Sequence, residues 1–162
     1  MIRAARPEDA EDIARLWNTM IRDTLSTFTT VQKTTADIKE LIADRPDAFL
    51  VAESGGAFAG FITFGPFRAG PGYAATAEHT VLVTPEAAGS GAAAGLLHVA
   101  EKAAAAQGVH VMVAGISGTN RRAIAFHRRQ GYTELGRMPQ VGRKSERWLD
   151  LVLMQKILGA SR

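Results

Sequence analysis

The order of helical and extended patterns predicts an α/β protein, more narrowly α+β, built on one mixed central sheet. Along the chain the segments follow as β-α-α-β-β-β-α-β-α-β-β, which amounts to about seven strands and about four helices. Helices separate the strands regularly only in the second half, so parallel and antiparallel pairs should share the sheet. The length of 162 residues, without linker or repeat, predicts a single domain over residues 1–162.

The first half of the chain reads as a short strand, two helices and a hairpin. Pro7 followed by acidic residues is typical of a helix start, and apolar residues three and four apart mark its buried face. Thr34 or Thr35 could cap the second helix, which Pro46 ends. The predicted elements are strand 2–5, a helix from Pro7 with Ile13, Leu16, Trp17, Met20 and Ile21 inward, helix 36–45, and strands 49–53 and 58–64 joined by a Ser-Gly-Gly turn.

The second half alternates strands with helices before it ends on two strands. Two prolines and two glycines mark residues 66–75 as a loop, and Gly131 is a good helix stop. The predicted elements are strand 77–83, a glycine-rich turn 88–91, a helix to about Ala106, strand 109–116, helix Asn120–Gln130, and strands at about 132–137 and 147–156.

Composition excludes several classes of protein. Without cysteine the chain can form no disulfide, thiol nucleophile or cysteine-ligated zinc site. A charged amino-terminal stretch and the lack of a run of ~20 apolar residues favour a cytoplasmic protein without a membrane partner. The net charge is +3, yet no basic stripe with interleaved aromatics predicts nucleic-acid binding. Arginines 121, 122, 128 and 129 are either a solvated surface or a site for a small polyanion.

Three local features could carry chemistry. The turn Ala88-Gly89-Ser90-Gly91 precedes a helix, where exposed amides and the helix dipole can hold a pyrophosphate, although a merely structural turn is equally compatible. No GxxxxGK[ST] pattern is present, which disfavours a nucleoside triphosphatase.

The other two features are single ionisable residues. Asn120, Ile124 and His127 share a helix face, although a lone helical histidine is more often structural. Glu78 interrupts an apolar strand, so it lies either at an exposed strand start or in a site, and its neighbour His79 must face the opposite side of the sheet.

Together these features resemble the GNAT superfamily of N-acetyltransferases. VTPEAAGSGAAAGLLHVAEKAA is similar to its acyl-CoA motif, with Ala88 where an arginine usually stands and Gly91 and Ala93 at the two small positions. ISGTNRRAIAFHRRQGY is similar to the following helix motif. The resemblance implies the GNAT fold with a mostly antiparallel sheet, and acetyl-CoA as co-substrate without a metal.

The resemblance also implies roles for individual residues. Glu78 would be the general base, a backbone N–H near Val81 the oxyanion donor, and His127, where many members have tyrosine, an acid or a CoA-positioning group. Arg68 in the loop 66–75 either pairs with a substrate carboxylate, with Phe67 and Tyr73 as walls, or is a solvated loop charge. The implied acetyl-CoA site is Val81, Leu82, Val83, Ala88, Gly89, Ser90, Gly91, Ala92, Ala93, Asn120, Arg121 and Arg128.

TAEHTVLV, AFHRRQGY and MPQVGRKSERWLDLVLMQ narrow the resemblance to the phosphinothricin and methionine sulfone (sulfoximine) subgroup. This chain has Lys144-Ser145-Glu146-Arg147-Trp148 where the subgroup usually reads Lys-Phe-Gly-Arg-Trp, and Ala74 where many members carry a second loop arginine. The resemblance implies a homodimer and direct acetyl transfer to a small amine within a ternary complex. A protein or peptide N-terminal acetyltransferase and a non-catalytic CoA-binding sensor are the alternatives.

Overall fold

A computed structural model of the protein describes residues 1–159. The strands are β1 Ile2–Ala4, β2 Phe49–Ser54, β3 Ala57–Pro66, β4 Thr76–Val83, β5 Val111–Ser117, β6 Thr133–Lys144 and β7 Arg147–Ile157. The helices are α1 Ala10–Asp23, α2 Thr35–Asp44, α3 Ala92–Ala106 and α4 Arg121–Arg129. Single 3-10 turns occupy Pro7–Asp9, Pro71–Tyr73 and Pro85–Ala87.

The strands form one seven-stranded sheet in the order β1-β2-β3-β4-β5-β7-β6. β4 and β5 are parallel, and every other neighbouring pair is antiparallel. The predicted mixed, mostly antiparallel sheet is therefore confirmed. The parallel pair arises where α3 carries the chain across from β4 to β5, since parallel strands need a crossover connection.

Helices cover both faces of the sheet. α1 and α2 enclose a core in which Trp17 packs on Phe61, with ring centroids 5.1 Å apart. α3 and α4 enclose the opposite core, which includes Leu96 and Met112, both fully buried. Removal of these apolar side chains from water is the main force that holds the layers together. Over residues 1–159, no helix has the length and apolar character needed to cross a membrane.

The local predictions for the first two helices are confirmed except at Met20, which was expected to point inward. Thr34 caps α2, because its hydroxyl accepts a hydrogen bond from the Asp37 amide and the Asp37 carboxylate accepts one from the Thr34 amide. Pro7 opens a 3-10 turn that runs into α1, and Met20 is half-buried rather than in the core.

The prediction of a strand at 132–137 was too short, because β6 continues to Lys144. Two shifts of register and a positive φ of 58° at Gln140 break the alternation that sequence analysis looks for. Pro139 lies on this edge strand. On the outer side of an edge strand a missing N–H removes no hydrogen bond to a neighbouring strand. Ser145 and Glu146 both have positive φ and close the β6–β7 hairpin as a tight turn.

Candidate active site

The parallel strands β4 and β5 pair over only three residues each. Thr76, Ala77 and Glu78 lie opposite Val111, Met112 and Val113, after which the strands continue without pairing. Between their unpaired ends lies an opening, named here the cleft. The cleft holds a cavity of about 340 Å³ lined by Trp17, Met20, Ser26, Thr27, Phe28, His79, Thr80, Val81, Leu82, Ala114, Gly115, Ile116, Ser117, Asn120, Ala123, His127 and Leu151.

The backbone of β4 presents free donors to the cleft. Thr84 donates its N–H to the Ala59 carbonyl on β3, and amides along a strand alternate in direction. The N–H of Leu82 therefore also faces β3, whereas those of Val81 and Val83 face the side where β5 has moved away. Val81 and Leu82 line the cavity, and Val83 is not among its lining residues.

The turn before α3 lies where β4 leaves the open end of the cleft. Gly89 and Gly91 have φ of 78° and 90°, and a side chain at either position would meet no atom within 4 Å. Ser90 bridges the turn by donating to the Ala87 carbonyl and accepting from the Ala92 amide. The first-turn amide of Ala93 has no intrahelical acceptor, so the turn offers N–H groups to an anion. Ala88 precedes these glycines and is exposed.

Glu78 lies on the α1 side of the sheet, opposite to His79 as predicted. Much of its surface is exposed, but its carboxylate folds against Gly115, where an added Cβ would stand 2.8 Å from Oε1. Partial burial of the carboxyl group raises the pKa of Glu78 above its ordinary value, because the charged form loses hydration. Glu78 lines neither cavity itself, but it lies between Gly115 of the cleft and its cross-strand partner Gly65.

His127 and His79 form a buried pair whose tautomers follow from the geometry. The two Nε2 atoms are 3.0 Å apart, and His127 Nδ1 lies 2.8 Å from the Ala123 carbonyl. Since a carbonyl only accepts, His127 Nδ1 carries the proton, and His79 Nε2 must donate to His127 Nε2. His79 Nδ1 is then a buried acceptor without a partner among the described residues.

Burial also keeps this pair uncharged. It lowers the pKa of His79 to about 3, with the neighbouring His127 as a second cause. Burial lowers the pKa of His127 as well, against a smaller opposing effect of the Ala123 hydrogen bond and the Glu101 charge. The predicted acid His127 therefore lines the cleft as a neutral ring whose proton is held by Ala123.

The start of α4 closes one side of the cleft. Asn120 caps the helix by accepting from the Ala123 amide and also donates to the Ser26 hydroxyl. Of the predicted arginines, Arg121 is exposed at this end, whereas Arg128 is exposed at the other end and pairs with Glu134 at 3.4 Å. Neither lines the cleft, and the four arginines split between the two ends of α4.

The loop of predicted substrate residues adjoins a second cavity. This cavity is about 780 Å³, lies at the start of β4 and includes Arg68 and Tyr73 in its walls. The Arg68 guanidinium lies 5.6 Å from the centroid of the Tyr73 ring. Phe67 lines neither cavity, but its N–H donates to the Thr76 carbonyl, which places its side chain on the Glu78 face.

Sequence reasoning missed one wall of the cleft altogether. The segment Thr24–Thr34, named here the α1–α2 segment, contributes Ser26, Thr27 and Phe28 to the cavity. It has neither helical nor strand periodicity, so it carried no recognisable signal. Gly115, which interrupts an apolar strand, was a signal that could have been used. Among the described residues 1–159, no three His, Asp or Glu side chains gather in a way that could hold a metal ion.

Comparison with known proteins places this geometry in context. Residues 15–132 match the model of the acetyltransferase (GNAT) family. An L-methionine sulfoximine/L-methionine sulfone acetyltransferase of Pseudomonas paraeruginosa is 41% identical over 70% of this chain, which spans 66% of that relative's length. An L-amino acid N-acyltransferase of Escherichia coli is 36% identical over 95% of this chain and 91% of its own. A phosphinothricin N-acetyltransferase of Streptomyces coelicolor is 31% identical over 97% of this chain and 95% of its own length.

Two solved structures are similar over nearly the whole chain. An acetyltransferase of Salmonella typhimurium with its cofactor acetyl-CoA has a TM-score of 0.93 and 35% identity, covering 98% of this chain and 93% of its own. A ribosomal-protein-alanine N-acetyltransferase from Brucella melitensis has a TM-score of 0.92 and 35% identity, covering 97% and 99%. The fold and the sequence motifs thus agree on one family.

Proposed function

The chain belongs to the acetyltransferase (GNAT) family, and from that membership we propose that it transfers acetyl from acetyl-CoA to the amine of a small amino-acid-like substrate. The proposed substrates are of the phosphinothricin, methionine sulfone or methionine sulfoximine type. The observation that carries the proposal is that β4 supplies two groups, a free backbone N–H that faces the cleft and the Glu78 carboxylate of raised pKa, which lies against Gly115 at the edge of the cleft.

The residues around the cleft fit acetyl-CoA. Gly89 and Gly91 leave open space before α3, where backbone amides would hold the pyrophosphate. The unpaired edge of β4 would hydrogen-bond the pantetheine arm through Val81 and Val83, as a neighbouring strand would. Ala88, Ser90, Ala92, Ala93, Asn120, Arg121 and Arg128 stay in the proposed binding set, the two arginines as exposed cations near either end of α4.

Acetyl-CoA would supply the acetyl group as a thioester. We assign to Glu78 the task of accepting the proton of the substrate ammonium, directly or through a water, because an amine attacks only with a free lone pair. The raised pKa of Glu78 brings its basicity closer to neutral pH. The Val81 N–H would donate to the thioester oxygen as negative charge develops there. The amine nitrogen bonds to the thioester carbonyl carbon, the C–S bond breaks, and the CoA thiolate leaves and takes up a proton that the attacking nitrogen gives up. Acetyl moves directly to the amine, since the chain has no cysteine to carry it.

His127 has a more restricted role in this proposal than in the sequence analysis. A neutral imidazole with its proton held by Ala123 is a poor acid for a leaving thiolate. We therefore favour the second role left open for His127, that of positioning the thioester end of CoA in the cleft, where the ring lies. The carboxylate of the substrate would pair with Arg68, with Phe67 and Tyr73 beside it.

The amine specificity can be tested by following release of free CoA thiol. Phosphinothricin, methionine sulfone and methionine sulfoximine should be turned over faster than simple primary amines of similar size. Equal rates for all amines would remove the substrate class but leave an acetyltransferase. Acetyl-CoA binding without turnover of any amine would favour the sensor alternative.

A second candidate function is acetylation of protein N-termini. It is favoured by the whole-length similarity to the Brucella protein, whose name is ribosomal-protein-alanine N-acetyltransferase. Peptides beginning with alanine belong in the same thiol-release screen. A kcat/KM for such peptides above that for methionine sulfone would make this the better assignment.

We also propose a cytoplasmic homodimer. The outer edge of β6 has no strand partner within residues 1–159, and Leu135, Met138 and Val141 are exposed along it. Sedimentation equilibrium should give twice the monomer mass, and Leu135→Glu should reduce it to the monomer. A monomeric wild type at micromolar concentration would contradict the dimer.

A further inference from the structure

Lys144 is a buried cation at the end of β6. The residue is only 6% exposed, and its ammonium donates to the Thr24 carbonyl at 2.9 Å and the Thr27 carbonyl at 2.8 Å. The Thr27 hydroxyl is a third acceptor at 3.3 Å. An ammonium group has three N–H donors. All three are therefore directed into the α1–α2 segment, and none is free for a ligand.

No carboxylate balances this charge. The ion pairs of residues 1–159 do not include Lys144, so peptide dipoles and one hydroxyl alone compensate its burial. Burial of a cation without a counter-ion is unfavourable unless hydrogen bonds offset it. A methionine would fill the same space at lower cost, so the geometry indicates a task that depends on the ammonium.

The segment held by Lys144 needs external support. Residues 25–34 form no helix or strand, so backbone ladders do not fix their path. Asn18 binds Lys33 in both directions, at 2.8 and 2.7 Å, and Asn120 binds Ser26 at the cleft. Lys144 holds the segment on both sides of Ser26, at Thr24 and at Thr27.

The same part of the segment shapes the cleft. Ser26, Thr27 and Phe28 line the cavity, and Phe28 lies across Gly142, where an added Cβ would stand 2.5 Å from its ring. Gly142 and Lys144 are two residues apart on β6 and are the only buried residues of that strand. The buried end of β6 thus contacts the segment in two ways. Gly142 packs against the Phe28 ring, and Lys144 binds the backbone carbonyls.

We propose that Lys144 is a positioning residue that fixes the α1–α2 segment as the amine-side wall of the cleft. This inference rests on the proposed function, in which the amine gives its proton to Glu78 on the α1 side of the sheet. The segment continues from α1 and lines the cleft together with Trp17 and Met20 of that helix. It gives a task to the lysine of the Lys144-Ser145-Glu146-Arg147-Trp148 motif, which neither acetyl-CoA binding nor proton transfer requires. The ammonium acts through Thr24 and Thr27 and does not touch the reacting groups.

The test replaces Lys144 by methionine, which keeps the length of the side chain and removes its donors. Lys102→Met on the exposed side of α3 is the matched control. In Lys144→Met, amide hydrogen exchange of residues 24–34 should accelerate at least tenfold. KM for the amine should rise about tenfold or more, and the Kd of acetyl-CoA should stay within twofold. Unchanged exchange together with unchanged KM would overturn the inference.

Lys144→Gln keeps two N–H donors and serves if the methionine variant does not fold. In Lys144→Gln, hydrogen exchange of residues 24–34 and KM for the amine should rise as in Lys144→Met, but by less. A folded Lys144→Gln with wild-type exchange and wild-type KM would refute the positioning role. Hydrogen exchange needs no turnover. A wild type that acetylates no amine would therefore count against the proposed function, whereas wild-type exchange in the variants would count against Lys144.

Discussion

The Nε2 atoms of His79 on β4 and His127 on α4 lie 3.0 Å apart, with the two rings nearly parallel at 19°. This contact links the two elements on the α3–α4 side of the cleft. The Ala123 carbonyl fixes the direction of the hydrogen bond, as His127 must keep its proton on Nδ1. The pair is therefore a neutral, directional link across the cleft.

The histidine pair predicts a loss of stability in acid. Both pKa values are lowered in the folded state, so the unfolded chain binds more protons between the ordinary histidine pKa and the value of about 3 for His79. The free energy of unfolding should fall as pH drops below about 6.5, by up to about 1.4 kcal/mol per pH unit for His79, and His127 should add to this fall in the same direction. Urea unfolding of wild type and His79→Phe between pH 7 and 5 measures this, and the slope should be shallower in the variant. Exposed His98→Gln is the control, and an equal slope in all three proteins would contradict the prediction.

Glu78→Gln should abolish most of the activity. Glutamine keeps the size of the side chain but cannot accept the amine proton, and a general base commonly contributes about 10²–10⁴-fold to kcat. Acetyl-CoA affinity should be nearly unchanged. The wild-type acidic limb of kcat against pH should lie above the ordinary glutamate pKa, because burial raises that of Glu78. If the variant keeps near-normal rates and the same limb, while His127→Ala loses activity, the base is not Glu78.

Gly115→Ala should lower kcat without unfolding the protein. The added methyl would stand 2.8 Å from Oε1 of Glu78, so the flexible end of that side chain must move from its position. Gly136→Ala is a suitable control, since a Cβ there meets no atom within 4 Å. We expect a drop in kcat of about tenfold or more, equivalent to about 1.4 kcal/mol of barrier, with Tm within a few degrees of wild type. Activity equal to that of the control would show that the carboxylate position is not critical.

Ala88 allows a paired test of the phosphate site. Its backbone, at φ −61° and ψ 129°, accepts any side chain, unlike Gly89 and Gly91 with their positive φ. Ala88→Arg should tighten acetyl-CoA binding and Ala88→Glu should weaken it, because a charge beside the pyrophosphate attracts or repels it. Calorimetry should give Kd values at least tenfold apart, and the gap should narrow in high salt. Equal Kd values would place the pyrophosphate elsewhere.

Patterns along the chain were sufficient for most of the fold. The spacing of Ile13, Leu16 and Trp17, the cap at Thr34 and the stop at Gly131 are local signals, and each depends on neighbours within a few residues. The predicted length of β6 was too short, because its bulges and Gln140 break the alternation on which strand prediction depends. That strand is stabilised by pairing with β7, which is a non-local interaction.

The family, the order of the elements and the candidate residues on β4, α3 and α4 could be predicted from the sequence, because they lie in ordered motifs with fixed spacing. How these residues meet depends on the tertiary fold. In the folded chain His79 contacts His127, the Glu78 carboxylate lies against Gly115, and Arg128 lies away from the cleft. The fold also brings the α1–α2 segment to Lys144, which is 120 residues from Thr24 along the chain. Such contacts depend on where the sheet opens and how α1 and β6 pack beside it, and no local periodicity encodes a distance across the sheet.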